Sequence, residues 1–438
     1  MAARLSLASR MDLAAVAEAA RAAGRLGIDT EFMSEGRYRA LLCLVGVVVP
    51  EGSGEPQRGA PVDRSEGSGE PQRGAPVDRS EGSGRAVGAQ RGSPVDQATN
   101  GIVLVDPLDR GVDPAPLAAV LADPAVEVVV HAGRQDVALL RRVWHTEVRG
   151  VFDTQVAAGF AGFGAQTGYA SLLGDVLGLR LAKSASFTRW DDRPLSPEQL
   201  AYARDDVVHL PRLADALQER LRASGRLEWA REECRRLEEA TDQRDPWLAW
   251  QRLPRIANLN PAARAVAREL AAWREQTASA EDRPVGAVLG DAPLVEIAKR
   301  RPATPHALER IRGLQPSTLR RRGDAVLAVV ARSLDAEPLP AEAVERSDSN
   351  PADVPAIALS EALVRARALD AGLAYELVAA RNDLAQLVAA VRRGQPEPPV
   401  RTLQGWRRDL VGAELLELLA GRRSLSVDPS GRLRISPS

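Results

Sequence analysis

Residues 26–32 read Leu26-Gly27-Ile28-Asp29-Thr30-Glu31-Phe32, a short apolar strand interrupted by two acids. Residues two apart in a strand share a face, so Asp29 and Glu31 project together while Ile28 and Thr30 face the other way. Around this strand the sequence alternates between periods. Asp12–Ala23 has a helical period, and Leu41–Val49 and Ile102–Val105 read as further strands. Pro114–Leu121 reads as a helix, residues 126–131 as a buried strand and residues 135–144 as a helix again. Two more helical stretches follow, at Thr154–Phe160 and Ala170–Leu177. Ser196, followed by Pro197 and Glu198, has the form of an N-cap with proline at the first helical position. This alternation through residue 225 predicts an α/β domain with a mixed sheet flanked by helices.

Between the second and third strands lies an internal repeat. Residues 51–65 read EGSGEPQRGAPVDRS, residues 66–80 repeat it letter for letter, and a third, degraded copy starts at Glu81. Gly, Pro, Ser and charge dominate, so the segment has too little apolar surface to offset the entropy of ordering. Residues 51–100 are therefore expected to be a disordered insertion in a strand connection, tolerated because loop closure costs grow slowly with length. A tandem duplication without function accounts for it. A flexible arm carrying Arg58, Arg64, Arg73 and Arg79 is weakened by the interspersed acids.

Strand signals vanish after about residue 226. Residues 226–260 read as a helical connector, 261–335 and 356–438 as two helical units, and 336–355 as a Pro- and acid-rich linker. The first unit holds 13 basic and 9 acidic residues, a net of +4 over residues 261–335. A modest basic face suits phosphate contact, and it equally suits a solvated helix surface.

Composition excludes several classes. The 438 residues carry 58 Lys+Arg against 59 Asp+Glu, so no uniformly basic coat exists, and Lys occurs only at 183 and 299. The two cysteines, Cys43 and Cys234, rule out a disulfide scaffold and point to a reduced, cytoplasmic compartment. The four histidines fall in no zinc-ligand spacing. No apolar run reaches a membrane-spanning length, and the start of the chain reads as amphipathic helix and not as a signal peptide. No P-loop or dinucleotide glycine motif follows a strand.

The chemistry then rests on carboxylates. Asp29 and Glu31 on one strand face repel each other, and a hard divalent cation removes that cost. A solvated strand end explains them as well. Asp136, in His131-Ala132-Gly133-Arg134-Gln135-Asp136, sits in the first turn of a helix, where the macrodipole alone favours an acid. Tyr202 and Asp206 lie four apart on one helix face, which a surface pair also satisfies.

Taken together, Asp29, Glu31, Asp136, Asp206 and Tyr202 resemble the motif set of the DEDD exonuclease superfamily, in its tyrosine subclass; the histidine subclass would need His at position 201, which is Ala. The text Val151-Phe152-Asp153-Thr154-Gln155, the run 183–190, and the stretch from Arg193 through Tyr202 and Asp206 to Val207 resemble the bacterial ribonuclease D family. Residues 261–334 resemble the helicase-and-ribonuclease-D C-terminal (HRDC) domain, and residues 359–419 resemble a more divergent copy. The chain departs from the family pattern at Gly46, where Gln is usual, and at Arg189, where Asp usually precedes the tryptophan.

The resemblance implies a ribonuclease H-like nuclease domain followed by two all-α HRDC-type domains. It implies a 3′→5′ exoribonuclease that releases nucleoside 5′-monophosphates with two divalent ions, Mg²⁺ or Mn²⁺. Asp29 would bridge the ions, Glu31 and Asp206 complete the first, and Asp136 serve the second through water. Tyr202 would orient the attacking water. Phe32 is a candidate to stack on the terminal base, and Lys183 and Arg193 are candidates for phosphate contact. Single-stranded RNA 3′ ends, tRNA precursors especially, are the implied partners; no membrane and no obligate protein partner is expected. A 3′→5′ DNA exonuclease is the alternative, since the same metal chemistry serves both polymers. A non-catalytic RNA-binding protein is disfavoured because all four carboxylates and Tyr202 are present.

Overall fold

The computed structural model describes residues 10–50, 101–181, 189–340, 350–395 and 397–438. The repeat insertion, Lys183 and the middle of the expected linker lie outside the described residues.

The nuclease domain runs through α1 (Arg10–Ala23), β1 (Arg25–Met33), β2 (Leu41–Val48), β3 (Ile102–Val105), α2 (Ala115–Leu121), β4 (Glu127–Val130), α3 (Arg134–Val143) and β5 (Val151–Asp153). Helices α4 (Thr154–Phe160), α5 (Tyr169–Leu177), α6 (Pro197–Val208), α7 (Leu210–Ala223) and α8 (Leu227–Arg235) follow. The sheet is mixed, in the order β3-β2-β1-β4-β5, with β1 at its centre. β1 pairs antiparallel with β2 and parallel with β4. Its register sets Asp29 opposite Gly46 and Glu31 opposite Leu44, and then slips by one residue past Cys43. The repeat insertion leaves and re-enters at one place, because Val49 N donates to Gly101 O at 3.0 Å on the β2–β3 edge.

Each sheet face buries its own core. Leu13, Ile28, Val45, Val128 and Val137 gather with the α1–α3 side. Phe152, Phe160, Leu213 and Leu217 gather on the other, with α4, α5 and α7. The segment expected as a connector divides between two cores. Helix α8 packs on β5 and α4, while Trp250, Leu253, Ile256 and Leu259 join the first helical unit.

That unit comprises α9 (Pro261–Ala280), α10 (Val285–Val288), α11 (Asp291–Arg300), α12 (Pro305–Glu309) and α13 (Pro316–Arg332). Part of the expected linker packs back on it: buried Arg264 donates to Leu339 O at 2.8 Å, and Leu339 N donates to Pro261 O at 3.1 Å. The second unit holds α14 (Val354–Asp370), α15 (Tyr375–Val378), α16 (Arg381–Arg392), α17 (Gly405–Arg407) and α18 (Ala413–Leu419). The succession of a long helix, a four-residue helix and a helix of 10 to 12 residues occurs in both units. The second unit ends in an antiparallel hairpin, β6 (Arg423–Val427) with β7 (Leu433–Pro437), which corrects the expectation that strands cease after 226. Its alternating Leu425, Val427, Leu433 and Ile435 flank a tight Asp428–Gly431 turn, a two-period pattern too short to stand out beside the helices. Among the described residues no helix is long and apolar enough to cross a membrane.

Candidate active site

Three elements deliver the acids. β1 carries Asp29 and Glu31, and α6 lies across β1, β2 and β3 with Tyr202 and Asp206. A capping box starts α6: Ser196 Oγ accepts from Gln199 N at 3.2 Å, and Gln199 Oε1 accepts from Ser196 N at 2.9 Å. Close approach of α6 to β2 depends on Gly46. A Cβ there would lie 3.0 Å from Val207 Cγ1 and 3.2 Å from Ala203 O, so the absence of a side chain lets the helix lie this near.

Asp136 arrives on the first turn of α3, and Asp153 fixes the turn before it. Buried at the end of β5, Asp153 caps α4 through Gln155 N at 2.8 Å and also accepts from Ala132 N at 3.1 Å and Gly133 N at 2.8 Å. Gly133 is required there, since a Cβ would meet Val130 Cβ at 2.5 Å. Neither the role of Asp153 nor that of Gly133 is anticipated by the sequence reading; the signal was an Asp-Thr pair at the junction of a strand and a helix.

The structure brings carboxylate oxygens of Asp29, Glu31 and Asp206 within 4.8 Å of one another. Asp136 stands beside this trio, buried, and accepts a hydrogen bond from the Thr30 hydroxyl on the other face of β1. The electrostatics show one cluster. Burial, then Asp136, Asp206 and Glu31, hold the Asp29 carboxyl well above the ordinary range. Burial, with Asp206 and Asp136, pushes Glu31 up to about 8. Burial raises Asp206 to about 6 against the hydrogen bond from Tyr202, and Asp136 to about 6 against that from Thr30. Burial, followed by Asp206 and Glu31, keeps the Tyr202 phenol protonated far above neutrality. The Tyr202 ring lies 6.0 Å from that of buried Trp190. An all-oxygen donor set whose members resist ionisation side by side is the chemistry that hard divalent cations relieve, so these residues fit such ions.

Of the three substrate candidates, Phe32 is partly exposed at the end of β1. Arg193 is turned inward. Its guanidinium bonds Asp106 at 2.6 and 2.7 Å, Cys43 O at 2.8 Å and Trp190 O at 2.8 Å, and so ties the 190–195 segment to β2 and β3. Tyr169, which the sequence did not mark, flanks the cluster beside Asp206 and Asp29; its ring lies 5.4 Å from that of His131, whose Nδ1 is 2.9 Å from Thr154 Oγ1. Both cysteines are free and buried.

A ribonuclease H-like sheet bearing this carboxylate cluster, followed by a helical HRDC domain, is the build of a 3′→5′ exonuclease. The 3′-5′ exonuclease family profile matches residues 85–222, and the HRDC domain profile matches residues 263–330. A ribonuclease D of Gluconacetobacter diazotrophicus is 39% identical over 340 residues, 76% of this chain and 84% of the relative. One from Nitrobacter hamburgensis is 31% identical over 416 residues, 94% of each chain. The chain belongs to the ribonuclease D family. Its fold matches the crystal structure of Escherichia coli RNase D, described as an exoribonuclease involved in structured RNA processing, with a TM-score of 0.75 and 26% identity over 96% of this chain and 99% of that one.

Proposed function

We propose that this exoribonuclease hydrolyses RNA from its 3′ end at the cluster of Asp29, Glu31, Asp136 and Asp206, releasing nucleoside 5′-monophosphates. The observation that carries this is the convergence of Asp29, Glu31 and Asp206 oxygens within 4.8 Å, with the Tyr202 hydroxyl on Asp206. Asp29, Glu31 and Asp206 would hold one divalent cation, Mg²⁺ or Mn²⁺, and Asp29 with Asp136 a second. When bound, the two cations supply positive charge against the scissile phosphate and the oxygens that enter and leave it. Tyr202 stays protonated, so it orients the attacking water by hydrogen bonding and does not take its proton. Thr30 holds the Asp136 carboxylate in place. Phe32, on the residue after Glu31, offers an aromatic surface to the terminal base.

Structured RNA precursors, tRNA among them, are the proposed substrates, in keeping with the structured RNA processing ascribed to the Escherichia coli enzyme. The recurring helix succession supports the second, divergent HRDC-type unit expected over residues 356–438. Incubation with 5′-labelled single-stranded RNA and its DNA twin, in Mg²⁺, Mn²⁺ or EDTA, tests the reading. A metal-dependent ladder from the 3′ end of RNA, absent in Asp136→Asn, is expected. A stronger ladder on DNA would overturn the RNA assignment.

A further inference from the structure

Beside the catalytic cluster lies a cleft of about 220 Å³ where three parts of the chain meet. The turn after β1 supplies Arg37, Tyr38 and Arg39, α3 supplies Gln135, and the segment before the first helical unit supplies Asp242 and Arg244. Two of its walls continue from elements that carry the site. Gln135 immediately precedes Asp136, and the turn leaves the strand that carries Asp29 and Glu31.

One acid lines it, Asp242, whose Oδ1 is buried without a partner, and two more stand around it. Asp282 takes Arg37 at 2.7 Å and Tyr38 N at 3.2 Å, Glu275 accepts from the Tyr38 hydroxyl at 2.7 Å, and Asp242 takes Arg142 Nε at 2.6 Å. Tyr38 is thereby fixed from both ends, and its ring becomes a platform. The guanidinium carbons of Arg39 and Arg244 lie 5.7 and 6.0 Å from the ring centroid, and neither arginine has an ion pair among the described residues. Arg39 Nε is buried without a partner. Arg37, Arg39 and Arg244 outnumber the one carboxylate of the lining, and two of them stand near one aromatic ring, which makes a site for an anion of phosphate type. A guanidinium pair presents more donors than one water-exposed cation, and an aromatic platform is a recurrent partner of single strands.

We infer that this cleft holds a phosphodiester of the RNA strand upstream of the nucleotide being removed, with Arg39 and Arg244 as its cationic partners and Tyr38 as their support. The assignment rests on the nuclease reading above and adds to it a backbone subsite formed jointly by the nuclease domain and the segment leading to the first helical unit. Because the contact is to phosphate, it raises affinity for longer strands and leaves the chemical step alone.

The test compares wild type, R39Q/R244Q and R39K/R244K on 5′-labelled oligoadenylates of increasing length, in Mn²⁺. Wild type is expected to gain kcat/KM with length. R39Q/R244Q loses that gain, by at least about tenfold on the longest strand, through KM with kcat unchanged. On the shortest strand cleaved the two match, and the lysine variant recovers most of the gain. The slope of log KM against log salt falls by about 1.4 in R39Q/R244Q, because two charges of a single strand go without a cationic partner, at about 0.7 each. Equal loss at every length, or no loss at any, overturns the subsite. Should wild type show no metal-dependent turnover, the nuclease reading fails by itself. Fluorescence anisotropy of the longest strand in EDTA then decides the cleft: weaker binding by R39Q/R244Q than by wild type supports it, and equal binding overturns it.

Discussion

At Asp29 the proposed catalysis and the stability of the fold oppose each other. Burial and the charges of Asp136, Asp206 and Glu31 hold its carboxyl well above the ordinary range, so ionising it without a cation costs the folded state. Asp29→Asn is expected to abolish turnover and yet raise Tm in EDTA at pH 8, by about 2–4 °C for each kcal/mol of repulsion removed. A lower Tm would show that the charge is structurally required. Tyr202→Phe keeps the packing against Trp190 and removes the hydroxyl that meets Asp206, so kcat should fall by about 10²-fold with KM little changed. A parallel rise in KM would assign the tyrosine to binding. Strand alternation put Asp29 and Glu31 on one face and helical spacing paired Tyr202 with Asp206, but only the resemblance to the DEDD motif set singled them out. Thr30 was not legible, because a β-branched hydroxyl in a strand reads as filler until Asp136 is seen to meet it across 106 residues of chain. Arg39 and Arg244 escaped for the same reason: only the fold brings them over one ring.

At the scale of elements, the site depends on how closely α6 lies on β2. Gly46 sets that distance, so Gly46→Ala forces Val207 or the α6 backbone at Ala203 to give way. The expected cost is about 1–3 kcal/mol of stability, with a fall in kcat as Tyr202 and Asp206 move off β1. Urea unfolding and steady-state kinetics read the two effects, and a variant with full activity would show that the approach is not needed. The pH response also belongs to these elements together. The folded values of Asp136 and Asp206 are about 6 and that of Glu31 about 8, all above their unfolded values of about 4. In that window the native state binds more protons than the unfolded chain, so these groups' contribution falls as pH rises from about 4 toward 8. A divalent cation favours the ionised forms. The Tm gained on adding Mn²⁺ in place of EDTA should therefore be small at pH 5.5 and larger at pH 8; an equal gain would place the cation elsewhere. The C-terminal hairpin marks the opposite limit of legibility, since its two five-residue strands gain meaning only from each other.

At the scale of the whole molecule, the second helical unit shares a core with the nuclease domain. Leu363, Leu384, Val411 and Trp406 join the same cluster as Phe160, Leu213 and Leu217. Trp406 anchors the joint, stacked on Trp229 at 5.4 Å and edge-on to Phe160 at 4.9 Å. Behind it, the fully buried Arg407 pairs with Glu233 of α8, at 2.9 Å through one nitrogen, and donates to Leu377 O at 2.8 and 3.0 Å. Burial alone would raise Glu233, but the hydrogen bonds and charge of Arg407 bring it below its ordinary value. Resemblance suggested the division into a nuclease part and helical parts, but nothing local in either marks Glu233 and Arg407 as partners 174 residues apart. Removing one member leaves a buried, unpaired ion. Arg407→Met is accordingly expected to cost about 3–5 kcal/mol in urea unfolding, moderated by Arg401, which stands 3.6 Å from Glu233. Adding Glu233→Gln removes the stranded charge and should recover part of that loss, so the cycle would show clear non-additivity. Strictly additive losses would mean that Arg407 and Glu233 do not act as a pair across this joint.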